Sequence, residues 1–292
     1  MADRIDLHIH TDSSADGIFS PRQIFELAKK VGLCALAFAD HNSVSNCDEG
    51  IKLSEEFGIE FVPAIEFNTN YGKKDVHLLI YYPKYRSEPF LYILDRIIKP
   101  KWERARQRIE GLQKAGLIIT EDEVREACRN NPPAGVEFWG AILKHPENMK
   151  HLLVKRALES KDEPPNVAFY LMTMKKPEHV AYAPMSGPTT YEVIDRGWES
   201  GGIPILAHPK DLSDAELDDI VANGAAGLEV YSSYHDEAAT KRLFQFCGER
   251  ELLMTVGSDF HGPEVKPDLK LGDVVGDYEL LRKLKDRLTI KS

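Results

Sequence analysis

Short apolar runs recur along the chain at Ile5–His10, Cys34–Asp40, Glu60–Glu66, Val76–Tyr82, Ile203–His208, Gly227–Tyr231 and Leu253–Asp259. The stretches between many of them repeat their apolar residues at helical spacing. The pattern predicts seven strands interleaved with helices. Between the first two strands, Ser20-Pro21 followed by Gln23, Ile24, Leu27, Ala28 and Val31 reads as a helix capped by Ser20, with Pro21 at its first position and Gly32 closing it. Strand–helix–strand alternation of this kind predicts parallel strands.

Residues 87–187 break the rhythm. They predict long charged helices, Phe90 to Ala115 and then Thr120 to Arg129 behind the capping box Thr120-Glu121-Asp122-Glu123, with turns at Pro132-Pro133 and Pro164-Pro165. After Gly187-Pro188 the alternation resumes with a helix over Thr189–Gly201. The expected organisation is therefore a barrel built from 1–86 and 188–292, with 87–187 inserted as a helical subdomain that acts as lid or substrate platform.

At 292 residues either a single α/β domain or a domain with an insert can bury a sizeable core. A formal net charge of −10 argues against the broad basic face that duplex nucleic acid requires. Cys34, Cys47, Cys128 and Cys247 lack CxxC spacing, so neither a disulfide framework nor a thiolate zinc site is expected, and a reduced, cytoplasmic location fits. The opening MADRIDLHIH has no apolar signal region, and no stretch is apolar enough to span a membrane.

The candidate chemistry lies at strand ends. Strict alternation along the first strand places Asp6, His8 and His10 on one face. Six of the ten histidines, His8, His10, His41, His77, His208 and His261, fall within or just after a predicted strand. Glu66 and Asp259 end two others, and Asp16 lies in the loop after the first. In a barrel the C-terminal strand ends converge on one mouth. Imidazoles mixed with carboxylates suit manganese, zinc or iron. Nine candidate ligands exceed what one ion takes, which implies two or three divalent ions sharing a carboxylate.

The segments DLHIHTDSSADG at 6–17, FADHN at 38–42, AIEF at 64–67, VHLLIY at 76–81, ILAHP at 205–209 and GSDFHG at 257–262 together resemble the PHP (polymerase and histidinol phosphatase) domain family. The resemblance implies a distorted seven-stranded (β/α)7 barrel and a metal-dependent phosphoesterase. It places one ion on His8, His10, Glu66 and Asp259, a second on Glu66, His77 and His208, and a third on Asp16, His41 and His261. Asp12 is the alternative to Asp16 in the same loop, and Asp6 and Asp40 would orient ligating histidines through the free ring nitrogen. A helical insert ahead of the LAHP strand is similar to the subgroup acting on nucleoside monophosphates, 3′,5′-bisphosphates or short RNA. Where that subgroup carries Arg-Pro-His, this chain has FWGAILKHPENMKH at 138–151, in which Lys144, His145 and His151 are candidate replacements.

Divalent ions at such a mouth bind phosphoryl oxygens and acidify water, so the expected reaction is phosphate ester hydrolysis, with Glu66 and Asp259 central to it. His235, after the sixth strand, is the candidate acid for the leaving group, and Lys210 a candidate phosphate contact. Phe138, Trp139, Phe169, Tyr170 and Tyr182 in the insert either stack on a base or pack a core. The expected partner is a small phosphorylated, nucleotide-like molecule or a very short oligonucleotide, without duplex nucleic acid or membrane. Histidinol-phosphate phosphatase and a proofreading or non-catalytic module tied to a DNA polymerase are the alternatives.

Overall fold

The computed structural model describes residues 3–14, 16–129, 131–133, 135–184 and 187–289. The chain divides into two compact units, Met1–Asp95 with Pro188–Ser292, and Arg96–Gly187. The first unit carries the sheet. Its opening elements are β1 (Arg4–Ile9), α1 (Pro21–Val31), β2 (Leu33–Phe38), α2 (Cys47–Phe57), β3 (Glu60–Tyr71) and β4 (Lys74–Tyr81). α3 (Glu88–Lys114) follows, then α4 (Glu121–Ala127), α5 (Phe138–Leu143), a 3-10 turn over Pro146–Lys150, α6 (Leu152–Leu158) and α7 (Pro165–Thr173). The chain then forms α8 (Thr190–Glu199), β5 (Ile203–Leu206), α9 (Asp214–Ala222), β6 (Gly227–Ser232), α10 (Glu237–Glu249), β7 (Leu253–Gly257), β8 (Gly276–Asp277) and α11 (Tyr278–Thr289).

The local signals act as their chemistry requires. Ser20 accepts from the Gln23 amide while the Gln23 side chain returns to the Ser20 backbone, and Gly32 closes α1 in the left-handed region at φ 76°. Thr120 with Glu123, and Ser213 with Glu216, form the same reciprocal box on α4 and α9.

Among the described residues the strands form one eight-stranded sheet, ordered β7-β6-β5-β4-β3-β2-β1-β8. Its two sides meet at the mouth. The Asp259 amide donates to the His8 carbonyl at 2.8 Å, the His10 amide donates to the Phe260 carbonyl at 2.9 Å, and Ile9 bridges Phe260 in parallel. β8 pairs antiparallel with the start of β1, at Arg4 and Ile5. The result is a nearly closed, distorted β/α barrel. One buried cluster draws Ile5, Leu7, Ala35, Val62, Leu79 and Ile205 together from five strands, as only the space enclosed by a curled sheet allows. A second packs Ile24 and Phe25 of α1 and Leu53 of α2 against Leu36, Phe38 and Phe61.

Two expectations are corrected. β4 is not parallel to its neighbours: it pairs antiparallel with both β3 and β5. The cause is local. β3 and β4 have no helix between them and turn at Gly72-Lys73, with Gly72 at φ 61° in the first central position of a two-residue hairpin. Reversal puts the start of β4, where His77 lies, opposite Asn68 of β3, two residues beyond Glu66. Nor is the alternation of β1 strict, because the register shifts between Asp6 and Ile9. Ile5 and Leu7 join one core and Ile9 the other.

The Arg96–Gly187 unit has its own core, built on Ile109, Leu112, Phe138, Ile142, Val154 and Phe169. Phe138 and Phe169 are fully buried there and Trp139 packs against them, so core packing is the use these aromatics have. Among the described residues no helix is long and apolar enough to cross a membrane.

Candidate metal centre

Glu66 lies wholly buried on β3 and gathers five imidazoles. Its Oε2 stands 3.3 Å from Nε2 of both His8 and His10 and 3.0 Å from His41 Nδ1, while Oε1 stands 2.9 Å from His77 Nδ1 and 3.0 Å from His208 Nε2. Asp259, just past β7, points Oδ1 at His8 Nε2 (3.2 Å) and His10 Nε2 (2.8 Å). Asp16 places Oδ2 3.3 Å from His261 Nε2 and 3.7 Å from His41 Nε2. All nine residues singled out as ligands thus lie in one connected cluster.

Three subsets are compact enough to converge on a point: His8, His10, Glu66 and Asp259; His10, Asp16, His41 and His261; and His41, Glu66 and His77. The first coincides with the sequence grouping. The second shares His10 with the first and His41 with the third, and His208 joins the cluster through Glu66 Oε1.

The donor chemistry fits cations. His8 Nδ1 lies 2.9 Å from Glu229 Oε1, so the ring proton goes to that carboxylate and the Nε2 lone pair faces inward. The His8 and His10 Nε2 atoms are only 3.2 Å apart. His261 directs Nδ1 to the Asp259 carbonyl at 2.9 Å, which leaves Nε2 for Asp16. Glu66 Oε2, Asp259 Oδ1 and His41 Nδ1 are buried, and none of their short approaches to one another or to the other ring nitrogens is aligned as a hydrogen bond. Buried acceptors in such number are costly unless positive charge lies between them. The ionisation equilibria carry the same demand. Burial alone would lower the His10 pKa, but Asp259 and Glu66 raise it to about 10. Burial would raise Glu66 and Asp259, yet the imidazoles around each hold both well below the usual carboxylate range.

The frame is strained where the ligands sit. His208 and Asp259 adopt left-handed φ of 29° and 53°, uncommon for residues with a Cβ and recurrent at functional sites. Gly257 is required by a close approach: a Cβ there would fall 2.1 Å from His8 Cβ and 2.4 Å from Glu229 Oε1.

Asp6 and Asp40 do not orient imidazoles as the sequence suggested. Asp6 accepts from the amides of His8 (3.2 Å) and Ser258 (2.9 Å) and from the Ser258 hydroxyl (2.6 Å). Asp40 accepts from the Thr11 amide (2.6 Å) and hydroxyl (2.7 Å). Both tie loops whose backbone amides need partners, and burial pushes their carboxyls up, to about 7 for Asp6 and about 6 for Asp40. The ring nitrogen of His8 belongs instead to Glu229, which also accepts the His208 amide at 3.0 Å through Oε2. Sequence reasoning passed over Glu229, although a carboxylate amid the apolar run GLEVYS is itself a signal, since a buried charge needs partners.

A cleft of about 540 Å³ opens beside the cluster, with His77, His208, Lys210, Leu212 and Tyr234 in its wall. Tyr234 rather than His235 lines it, and His235 turns Nδ1 onto the Val230 carbonyl at 2.8 Å. In the other unit, Lys144 pairs with Glu126 at 2.6 Å, His145 with Glu123 at 2.7 Å, and His151 Nε2 lies 2.9 Å from the Ala115 carbonyl.

Comparison with known proteins agrees with this geometry. The PHP domain family matches residues 6–155. A 3′,5′-nucleoside bisphosphate phosphatase of Chromobacterium violaceum is 28% identical over 270 residues, covering 89% of this chain and 87% of that protein. A 5′-3′ exoribonuclease of Haemophilus influenzae is 26% identical over 287 residues, covering 94% and 97%. A phosphoribosyl 1,2-cyclic phosphate 1,2-diphosphodiesterase of Eggerthella lenta is 25% identical over 264 residues, covering 88% and 94%. Among solved structures, a metal-dependent phosphoesterase from Bifidobacterium adolescentis superposes with a TM-score of 0.78 at 27% identity, over 97% of this chain and 96% of that one.

Proposed function

The chain belongs to the PHP domain family and is a metal-dependent phosphoesterase, and we propose that it hydrolyses a phosphate ester of a small nucleotide, a nucleoside monophosphate or 3′,5′-bisphosphate. The observation that carries the reading is the convergence of buried imidazoles and carboxylates on Glu66, where three buried polar atoms stand close to one another or to ring nitrogens without an aligned hydrogen bond. The residues proposed to hold two or three divalent ions are His8, His10, Asp16, His41, Glu66, His77, His208, Asp259 and His261. The chemistry such ions supply when bound is Lewis-acid stabilisation of phosphoryl oxygens and acidification of water.

The protein's own residues do the rest. Glu66, Asp16 and Asp259 keep fixed negative charge at the mouth, which confines cations there. Glu229 fixes the inward tautomer of His8 and the backbone of His208. The cleft beside His77 and His208 has the volume of a small-molecule site. Lys210 in its wall offers an ammonium to a phosphate oxygen, and the apolar wall of Leu212 and Tyr234 suits the organic part of the ester. The relatives' names, covering a nucleoside bisphosphate, RNA and a phosphoribosyl cyclic phosphate, share a ribose phosphate unit. A net charge of −10 favours the small end of that range over a long phosphate backbone.

Protein stripped of metal and reloaded with manganese, zinc or iron is expected to regain hydrolysis of an aryl phosphate, and no activity with any metal refutes the reading. Nucleoside 5′-monophosphates, 3′,5′-bisphosphates, short RNA and histidinol phosphate then rank the substrate by kcat/KM. Preference for histidinol phosphate would overturn the nucleotide assignment. Lys210→Met is expected to raise KM about tenfold with little change in kcat, the loss of roughly one charge-assisted hydrogen bond.

A further inference from the structure

Lys266 lies in the segment GPEVKP after β7, a stretch that no ligand assignment includes. Its Nζ donates to Asp259 Oδ2 at 2.7 Å and also to the Asp259 carbonyl at 2.8 Å, so one ammonium grips side chain and main chain of the same residue. The lysine side chain is 17% exposed and the aspartate 4%, which makes this a largely desolvated pair. The Lys266 amide donates to the Gly262 carbonyl at 2.9 Å, anchoring the turn that delivers the side chain. Tyr234 covers the ammonium, with Nζ 4.1 Å from its ring centroid, and the same ring packs 4.9 Å from that of His208.

We propose that Lys266 is a positioning residue: it occupies the outward oxygen of Asp259, so that only Oδ1 turns toward His8 and His10, and Asp259 is set as a one-oxygen metal ligand. The physical reason is rotational. A carboxylate on a single χ2 torsion can turn either oxygen, or both, to a cation. A two-point grip on Oδ2 and the carbonyl removes that freedom, and the left-handed backbone of Asp259 at φ 53° is held by the same contact. His261 donates to the same carbonyl at 2.9 Å, so Lys266 and the ring of His261 are registered to one another through Asp259. The ammonium also offsets charge where Asp16, Glu66 and Asp259 converge. By linking through Tyr234 to His208, it joins the two sides of the cluster.

The inference rests on Asp259 being a metal ligand, as proposed above, and the test separates the two. Manganese affinity of the full chain is measured by chelator competition for wild type, Lys266→Met and Lys266→Arg, with folding checked by circular dichroism in excess chelator. Lys266→Met is expected to hold its tightest ion about 10–100-fold more weakly, the usual effect of removing a group that orients a ligand, and Lys266→Arg to recover most of the affinity. With 4-nitrophenyl phosphate at saturating manganese, kcat of the methionine variant should stay depressed while KM stays within about twofold. If that variant does not fold, Lys266→Gln is measured against the same thresholds. Unchanged manganese affinity, or a loss confined to KM, overturns the positioning role. Failure of the wild type to bind manganese, zinc or iron would instead refute the metal centre itself.

Discussion

Glu229 is one buried carboxylate that governs two histidines, His8 on β1 through its ring and His208, just past β5, through its backbone amide. Glu229→Gln keeps the shape and removes the charge that favours His8 with its proton on Nδ1. Its expected effect is a metal affinity about 10–100-fold lower in chelator competition, without loss of fold. Gly257 is the complementary case, a position defined by what cannot be added. A methyl there meets His8 Cβ at 2.1 Å and Glu229 Oε1 at 2.4 Å. Gly257→Ala is therefore expected to displace both side chains, lowering metal retention as measured by metal content after dialysis and costing about 1–3 kcal/mol in urea titration. The candidate ligands were legible in the sequence because histidine and acid at strand ends stand out from the pattern that builds strands. Glu229 and Lys266 were not. The first sits mid-strand in a run otherwise read as apolar, and the second is an ordinary loop lysine until the fold sets it against Asp259.

Among the elements, the strand positions were read within a few residues, whereas the direction of β4 was not. Apolar runs report burial, and burial is the same for a strand running either way. Only the spacing to the next run tells direction, and FNTNYGKKD at 67–75, between the apolar runs Glu60–Glu66 and Val76–Tyr82, is too short for a crossover helix. β8, two residues long, has no periodicity to read. The caps were legible because they are local chemistry. On α9 the Glu216 carboxylate accepts from the side chain of Lys74 and from Ser213, which lowers its pKa from 4.5 to about 2. A depressed folded pKa means stability that is present above the unfolded value and lost as pH falls through the folded one. Glu216→Gln should therefore cost stability at neutral pH, and the gap from wild type should narrow between pH 4.5 and about 2 in denaturant titrations. A gap that is constant with pH would remove the charge from the explanation.

For the whole molecule, the barrel unit and the Arg96–Gly187 unit each bury a core, so unfolding is expected to depart from a single two-state transition. Metal enters the balance of one unit only. An ion at about 1,000 times its Kd adds about 4 kcal/mol, enough to raise the barrel's transition by about 10 °C in calorimetry. Excess chelator should reverse the shift and leave the insert's transition in place, and a shift of both together would argue against separate cores. The break in strand rhythm puts the insert at 87–187, whereas the second compact unit begins at Arg96, inside α3, where a continuous helix offers no sequence signal for a boundary. The pairing of Lys144 with Glu126 and of His145 with Glu123 was not legible, because no spacing rule foretells it.

The join between β7 and β1 is slender beside the ladder of eight residue pairs that binds β3 to β4. Two backbone hydrogen bonds, from Asp259 to His8 and from His10 to Phe260, complete it, and three of those four residues belong to the proposed metal centre. Ions seated across the join would act as rivets in a hoop. The two trapped amide protons then serve as a clock for the hoop's opening: their exchange with deuterated solvent should be fast in the stripped protein and slow once it is loaded, even if no substrate is ever found.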